Sequence, residues 1–265
     1  MTTNRAHNHW PYLPWLVPVV SIAVWFSVSK AGWIPNYLLP DPVSIAKAGY
    51  HYVFGQEGSA PYAGRFFSDA WASLVRVTLG FILAVALGIP LGVLSGRLTV
   101  CRRLMSTTIN ALRAVPGICW LPLALVWFGI GMRTTVFLVA MAAFFPIYIN
   151  TAAGARQVSK LLYQAGAMMG VGRLGGVFTI LLPAAMPQII SGLRLGMGIA
   201  WAYLVLGELT GVPNGLGAVI MDARMLGRID IIMVGICIIA VMGRISDLAL
   251  NTLMRYCFKS ARRMA

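Results

Sequence analysis

Gln164-Ala165-Gly166-Ala167-Met168-Met169-Gly170-Val171-Gly172-Arg173-Leu174-Gly175-Gly176-Val177-Phe178-Thr179-Ile180-Leu181-Leu182-Pro183 joins two long apolar runs and resembles neither. Leu161, Leu162, Ala165, Met168 and Met169 recur at helical spacing, which predicts a short amphipathic helix. Gly170 and Gly172 end it. Arg156, Lys160 and Arg173 flank it, so this helix is not a membrane span. A helix of this kind either lies on a membrane surface or docks into a partner, and the residue pattern leaves both open. The segment Gly170-Val171-Gly172-Arg173-Leu174-Gly175 also matches GxGxxG. A dinucleotide site needs a strand before that fingerprint and a βαβ unit around it. Here apolar runs of span length flank the loop, so the match carries no such meaning.

Outward from this loop, apolar runs dominate. A span needs about 20 predominantly apolar residues. Six runs qualify: 13–29, 71–96, 108–130, 134–153, 186–210 and 229–250. The first is short and holds Pro14 and Pro18; with a basic stretch before it, it also fits a signal peptide. Trp15 and Trp25, and the lack of a small-x-small cleavage site after it, favour a span. The segment 31–70 is less apolar, and Pro40-Asp41-Pro42 reads as a turn followed by a short helix from Val43. The expected organisation is a tail with the first span (1–30), an external segment (31–70), a membrane domain (71–255) containing the loop 156–183, and a basic tail (256–265).

Composition supports this all-α polytopic reading. Of 265 residues, 59% are hydrophobic and only 11% charged, and the mean hydropathy is +0.79. An ordinary soluble domain carries roughly 25% charged residues, so here lipid must cover most of the surface. The net charge of +14 suggests nucleic acid at first sight, but the charges fall between the apolar runs rather than on a soluble face. With both termini inside, the inner segments hold Arg5, Arg97, Arg102, Arg103, Arg156, Lys160, Arg173, Arg255, Lys259, Arg262 and Arg263, and no acid. The outer segments hold Lys30, Lys47, Arg65, Arg133, Arg224 and Arg228 among five acids. The excess of Lys and Arg sets the orientation: multi-pass, both termini cytoplasmic, loop 156–183 cytoplasmic.

The chain shows no chemistry of its own. It has no GxxxxGK[ST] phosphate loop, no metal-ligand cluster and no CxxC pair, so no catalytic, cofactor or metal residues are assigned. Within the spans, Glu208 is the one acid well inside an apolar run. Such a group faces a protein interior or a water-filled cavity. It either lines or gates a substrate path, or pairs with Arg76 or Arg133. Arg244 and Asp247, three apart, pair on one helix face, while Arg194 snorkels near a helix end. Pro116 and Pro122 break the third span, and broken helices line cavities, to which Trp120 and Trp127 would belong. Gly88, Gly92 and Gly96, and Gly192 and Gly196, repeat at four-residue spacing and read as helix packing.

The loop resembles the "EAA" loop of binding-protein-dependent ABC importer permeases: E-A-A, three residues, G, nine residues, I-x-L-P. Gln164-Ala165-Gly166, Gly170 and Ile180-Leu181-Leu182-Pro183 keep that spacing. Gln164 replaces the glutamate and removes a carboxylate. Gly166 replaces an alanine, at a cost of about 1 kcal/mol in helix propensity. Ser73-Leu74-Val75-Arg76-Val77, Gly88-Ile89-Pro90-Leu91-Gly92, Leu121-Pro122-Leu123, Trp127-Phe128-Gly129-Ile130-Gly131, Phe145-Pro146-Ile147-Tyr148-Ile149-Asn150-Thr151, Gly192-Leu193-Arg194, Trp201, Glu208 and Gly215-Leu216-Gly217 resemble the sulfonate/nitrate/taurine (SsuC/TauC/NrtB-like) permeases.

This resemblance implies six helices with a MetI-like five-helix core in a bacterial inner membrane. It implies a homodimer, two ATPase subunits that carry ATP and Mg, and a periplasmic substrate-binding protein. It makes Gln164, Ala165, Gly166, Met168, Gly170, Ile180, Leu182 and Pro183 the ATPase-coupling residues, and Glu208, Trp201, Trp127 and Trp120 candidates for the path. The implied cargo is a small organic anion, an aliphatic sulfonate or taurine first, then nitrate, bicarbonate or a vitamin precursor. An ATP-independent secondary transporter would instead predict paired broken helices in two repeated halves, and no such repeat stands out.

Overall fold

The computed structural model describes residues 13–31, 35, 38–56, 58 and 61–257. The described residues form helices α1 (Leu13–Lys30), α2 (Pro42–Phe54), α3 (Phe66–Arg97), α4 (Thr99–Ala114), α5 (Trp120–Phe128), α6 (Met132–Gln157), α7 (Lys160–Met168), α8 (Arg173–Gly176), α9 (Leu182–Glu208), α10 (Leu216–Met225) and α11 (Ile229–Cys257). A 3₁₀ turn at Gly117–Cys119 precedes α5, and a π-helical turn at Val177–Leu181 runs into α9. The tail before 13 and most of the basic tail 256–265 lie outside the described residues.

Four of these helices are long and apolar enough to cross a bilayer: Phe66–Arg97, Met132–Gln157, Val177–Glu208 and Ile229–Tyr256. The expected third span is bent. Helix α4 and the Gly117–Phe128 segment meet at 83°, and together they make a fifth candidate. The break lies at Val115-Pro116, because proline has no N–H and disfavours helix in the residue before it. Pro122 makes no break. It sits in the first turn of α5, where its missing N–H would have had no helical partner. The first expected span, 13–29, forms α1, which is shorter than the four long apolar helices. Helix α3 begins at Phe66 rather than at 71.

The core is α3, α6 and α9, and small residues set its geometry. A methyl group added at Gly80 would strike Val139; at Gly88, Ile147; at Gly92, Thr151; at Gly96, Ala155. Both numbers rise together, so α3 and α6 run parallel with backbones close. Gly154 meets Gln188, Gly192 meets Asn150, and Gly207 meets Thr135. Here one number rises as the other falls, so α9 runs antiparallel to α6. Without a hydrophobic driving force between helices in lipid, such close approach supplies the association through dispersion contact. Phe81, Ile147, Leu193, Trp201 and Leu204 fill the buried centre. A second cluster joins α2, α10 and α11 through Tyr52, Val219 and Val234. The core thus has two ends. One carries α7 and the C-termini of α3 and α6; the other carries α10 and the C-terminus of α9.

Candidate functional site

At the first end, α7 forms as the periodicity predicts. Ser159 caps it by accepting the Leu161 N–H at 3.2 Å. Its C-terminus closes in a Schellman motif: the Val171 N–H donates to the Gly166 carbonyl at 2.9 Å and the Gly170 N–H to Ala167 at 3.0 Å. That turn needs φ of +81° at Gly170, which a residue without Cβ adopts at low cost.

Two contacts fix α7 to the core. The Arg97 guanidinium, at the end of α3, stacks on the Tyr163 ring 3.8 Å from its centre. On the next turn, Ile180 lies so close over Gly166 that a Cβ there would run into its Cδ1 atom. Gly166 is therefore more than a weak helix former, since it makes room for the residue that leads back into α9. Burial lifts the Tyr163 phenol above its ordinary pKa, while Arg97 opposes the shift.

The predicted apolar stripe faces away from the protein. Leu161 and Leu162 are exposed, and Met168 and Met169 are 89% and 83% exposed. Gln164, Ala165 and Pro183 are exposed with them, whereas Gly166 is buried and Ile180 and Leu182 are half-buried. The eight predicted coupling residues thus separate into an outward surface and the supports beneath it.

At the other end a buried polar network joins α3, α9 and α10. The Glu208 side chain is fully buried, and Arg76 Nη1 donates to its Oε1 at 2.7 Å. The Ser73 hydroxyl lies 2.8 Å from the same carboxylate, and the Gly217 N–H donates to Oε2 at 2.8 Å. The Leu216 N–H donates to Ser73 Oγ, and the Gly215 N–H to Asp69 Oδ1. Three successive N–H groups at the start of α10 are thereby satisfied by side chains from α3 and α9. The negative charge of Glu208 also lies at the positive end of the α10 dipole. Arg76 holds the preceding loop through the Asn214 carbonyl and side chain, at 2.7 and 2.6 Å. At Gly215, φ is +131° and a Cβ would lie 2.6 Å from the Glu208 carboxyl, so only glycine fits. Of the two weighed pairings, the partner of Glu208 is Arg76. Tyr52 completes the network by donating to Asp69 Oδ2 at 3.1 Å; burial and that carboxylate both raise its pKa.

Residues 88–262 match the family model described as the binding-protein-dependent transport system inner membrane component. The chain belongs to this family. It is 34% identical over 92% of its length to SsuC of Bacillus subtilis (strain 168), a permease protein named for aliphatic sulfonates transport, and covers 86% of that protein. It is 32% identical over 89% of its length to the taurine transport system permease protein TauC of Escherichia coli (strain K12), covering 85% of it. The fold matches a chain of the inward-facing MetNI methionine ABC transporter with a TM-score of 0.59 at 18% identity, over 72% of this chain and 95% of that one. This chain is therefore an ABC importer permease subunit, a component of transport.

Within this permease the four path candidates sit apart. Glu208 is in the ion pair above. Trp201 is 4% exposed in the core, its ring over Gly243 of α11, and lines neither cleft described below. Trp127 is 55% exposed and makes edge contacts with Phe128 and Phe137. Trp120 alone lines a cleft at the helix break, about 310 Å³ in volume, with Arg113, Phe145, Ile149 and Tyr203. Arg194 corrects another expectation. Instead of snorkelling, its Nε and Nη2 grip both oxygens of Asp247 across α9 and α11, at 3.0 and 3.1 Å, and Arg244 adds the expected i,i+3 contact at 3.2 Å. An acid on the neighbouring helix at the same depth makes the bidentate pair the better solution. Asp69 and Ser73 were missed: their partners Gly215, Leu216 and Glu208 are distant in sequence, and the i,i+4 pairing of Arg65 with Asp69, at 3.7 Å, gives no hint of them.

Proposed function

We propose that this permease subunit passes a small organic anion, an aliphatic sulfonate or taurine, through the inner membrane and couples that passage to a separate ATPase. The outward apolar face of α7 carries this reading. Exposed Leu161, Leu162, Met168 and Met169 on a helix fixed to the core only from below form a surface suited to a protein groove. Gln164, Ala165 and Met168 meet the ATPase, while Gly166, Gly170, Ile180, Leu182 and Pro183 shape and support the helix. Motion imposed on α7 then passes to α3 through Tyr163 and Arg97, and to α9 through Gly166 and Ile180. Two permease copies and two ATPase subunits make the working unit, with both chain termini and α7 on the cytoplasmic side. A binding protein delivers cargo to the opposite face. The cargo class rests on the relatives named for sulfonates and taurine.

The test is purification of the chain with the products of its neighbouring genes, followed by reconstitution. An ATPase should co-purify, and labelled taurine should enter proteoliposomes only with ATP and the binding protein present. A Met168→Glu change should abolish the co-purification while leaving the permease in the membrane. Uptake that proceeds without any ATPase subunit would overturn the proposal.

A further inference from the structure

Among the described residues, several arginines at the α10 end and across α9 and α11 have acidic partners. Arg76 pairs with Glu208, Arg194 and Arg244 with Asp247, and Arg228 with Asp230. Four others do not. Arg102, Arg103, Arg113 and Arg156 line one cleft of about 300 Å³ near the α7 end, between α4 and α6. Among the described residues, no carboxylate lies within ion-pair distance of any of them. Arg156 makes only a long bond, 3.4 Å from its Nε to the Ala152 carbonyl. Like charges gathered in a concavity repel one another and concentrate counter-ions there.

The cleft floor supplies a second observation. Ser95 and Tyr148 are both buried, and their hydroxyls are 2.7 Å apart in one hydrogen bond. Two hydroxyls own two protons, and one bond uses one of them. Whichever way the bond points, one buried O–H on this floor remains free to donate. An unmet buried donor is unfavourable, and an acceptor entering the cleft would satisfy it.

We propose that this cleft is an oxyanion-binding site in which the Arg102, Arg103, Arg113 and Arg156 guanidiniums take the charged oxygens and the Ser95–Tyr148 pair donates from below. Guanidinium forks match the oxygen geometry of sulfonate, sulfate and phosphate groups. The volume holds far more than a water, whose share of liquid volume is about 30 Å³. Arg113 and Ile149 also line the Trp120–Tyr203 cleft, so the two spaces adjoin at Arg113. Arg113 therefore sits where an anion would pass from the helix break to the basic mouth, which makes it a specificity-determining residue. This assignment deepens the import reading and rests on it for the direction of passage. Two sources offer the same chemistry: a small organic anion in transit, and the phosphate of an anionic lipid headgroup.

The full chain, with its ATPase partner, is reconstituted without nucleotide in phosphatidylcholine nanodiscs and titrated with ethanesulfonate by calorimetry. A parallel preparation contains phosphatidylglycerol, and native mass spectrometry counts the lipid retained. Ethanesulfonate should bind, and more weakly as ionic strength rises. Arg113→Gln combined with Arg156→Gln should weaken binding by about tenfold or more. Arg244→Gln, outside the cleft, should leave it unchanged. The Arg113→Lys, Arg156→Lys variant keeps the charge, should retain part of the affinity, and serves if the glutamine variant fails to assemble. Phosphatidylglycerol retention that the glutamine variant loses, with no ethanesulfonate binding, supports the site and assigns it to the headgroup. The site is overturned if neither probe binds, or if the glutamine variant binds as the unaltered chain does. An ATPase that co-purifies while neither probe binds sinks the site and leaves the import reading; binding of either probe by a chain that purifies with no ATPase does the reverse.

Discussion

The meeting of Glu208 with Arg76, Ser73 and Gly217 shows how a single carboxylate can organise three helices. In a low-dielectric interior, removing one member of such a pair leaves the other charge uncompensated, a loss of about 3–5 kcal/mol. Glu208→Gln should therefore lower the melting temperature of the detergent-purified permease and reduce its yield from the membrane. Ser73→Ala should act in the same direction more weakly, by about 1–3 kcal/mol, because it orphans the Leu216 N–H. A Glu208→Gln permease that melts with the unaltered chain would refute the structural role. At this scale the sequence was only half legible. A lone acid in an apolar run announces that it has a partner, because an unpaired charge there is too costly. It does not say which partner. Ser73 and Arg76 lie far from Glu208 in the chain, and Asp69 read as a loop acid because the span looked shorter than α3 is.

Helices were more legible than their side-chain partners, since their signals are local. The α7 periodicity, the glycine that ends it and the Val115-Pro116 break each rest on a few adjacent residues. Pro122 misled because a proline breaks a helix interior but not a first turn, and where α5 starts depends on the break before it. The glycine spacing on α3 pointed to packing but not to a partner. Constant register against Val139, Ile147, Thr151 and Ala155 identifies it as α6. This gives a graded prediction. At Gly92 an added Cβ would lie 2.7 Å from Thr151 Cβ and 2.9 Å from the Tyr148 carbonyl oxygen, so the backbones must separate. Gly92→Leu should destabilise the bundle by about 1–3 kcal/mol or more. At Gly198 the added group would have nothing within 4 Å, so Gly198→Ala should not lower the melting temperature in the same assay and, through its better helix propensity, should raise it slightly.

For the molecule as a transmitter, the two ends of the core have opposite characters. At the α10 end a dense set of buried polar bonds locks α3, α9 and α10 together. At the α7 end, contact with the core includes an arginine on a ring and an isoleucine over a glycine, and the exposed remainder of α7 is mostly apolar, with Lys160 and Gln164 among its side chains. In the proposed role, force enters at α7 and the locked end serves as the pivot. That division separates two kinds of α7 variant. A change on the outer face, such as Met168→Glu, removes the ATPase contact and so lowers hydrolysis in the complex and uptake together. Gly166→Val leaves the outer face intact but puts side-chain atoms where Ile180 lies, which shifts α7 relative to the turn leading into α9. The ATPase should still bind and hydrolyse ATP, while uptake falls, so more ATP is hydrolysed for each taurine imported. Measuring both rates on one proteoliposome preparation decides the matter. Hydrolysis and uptake both at the unaltered level in Gly166→Val would mean that the Gly166–Ile180 contact transmits nothing. A parallel loss of both activities would mean that the contact maintains α7 itself.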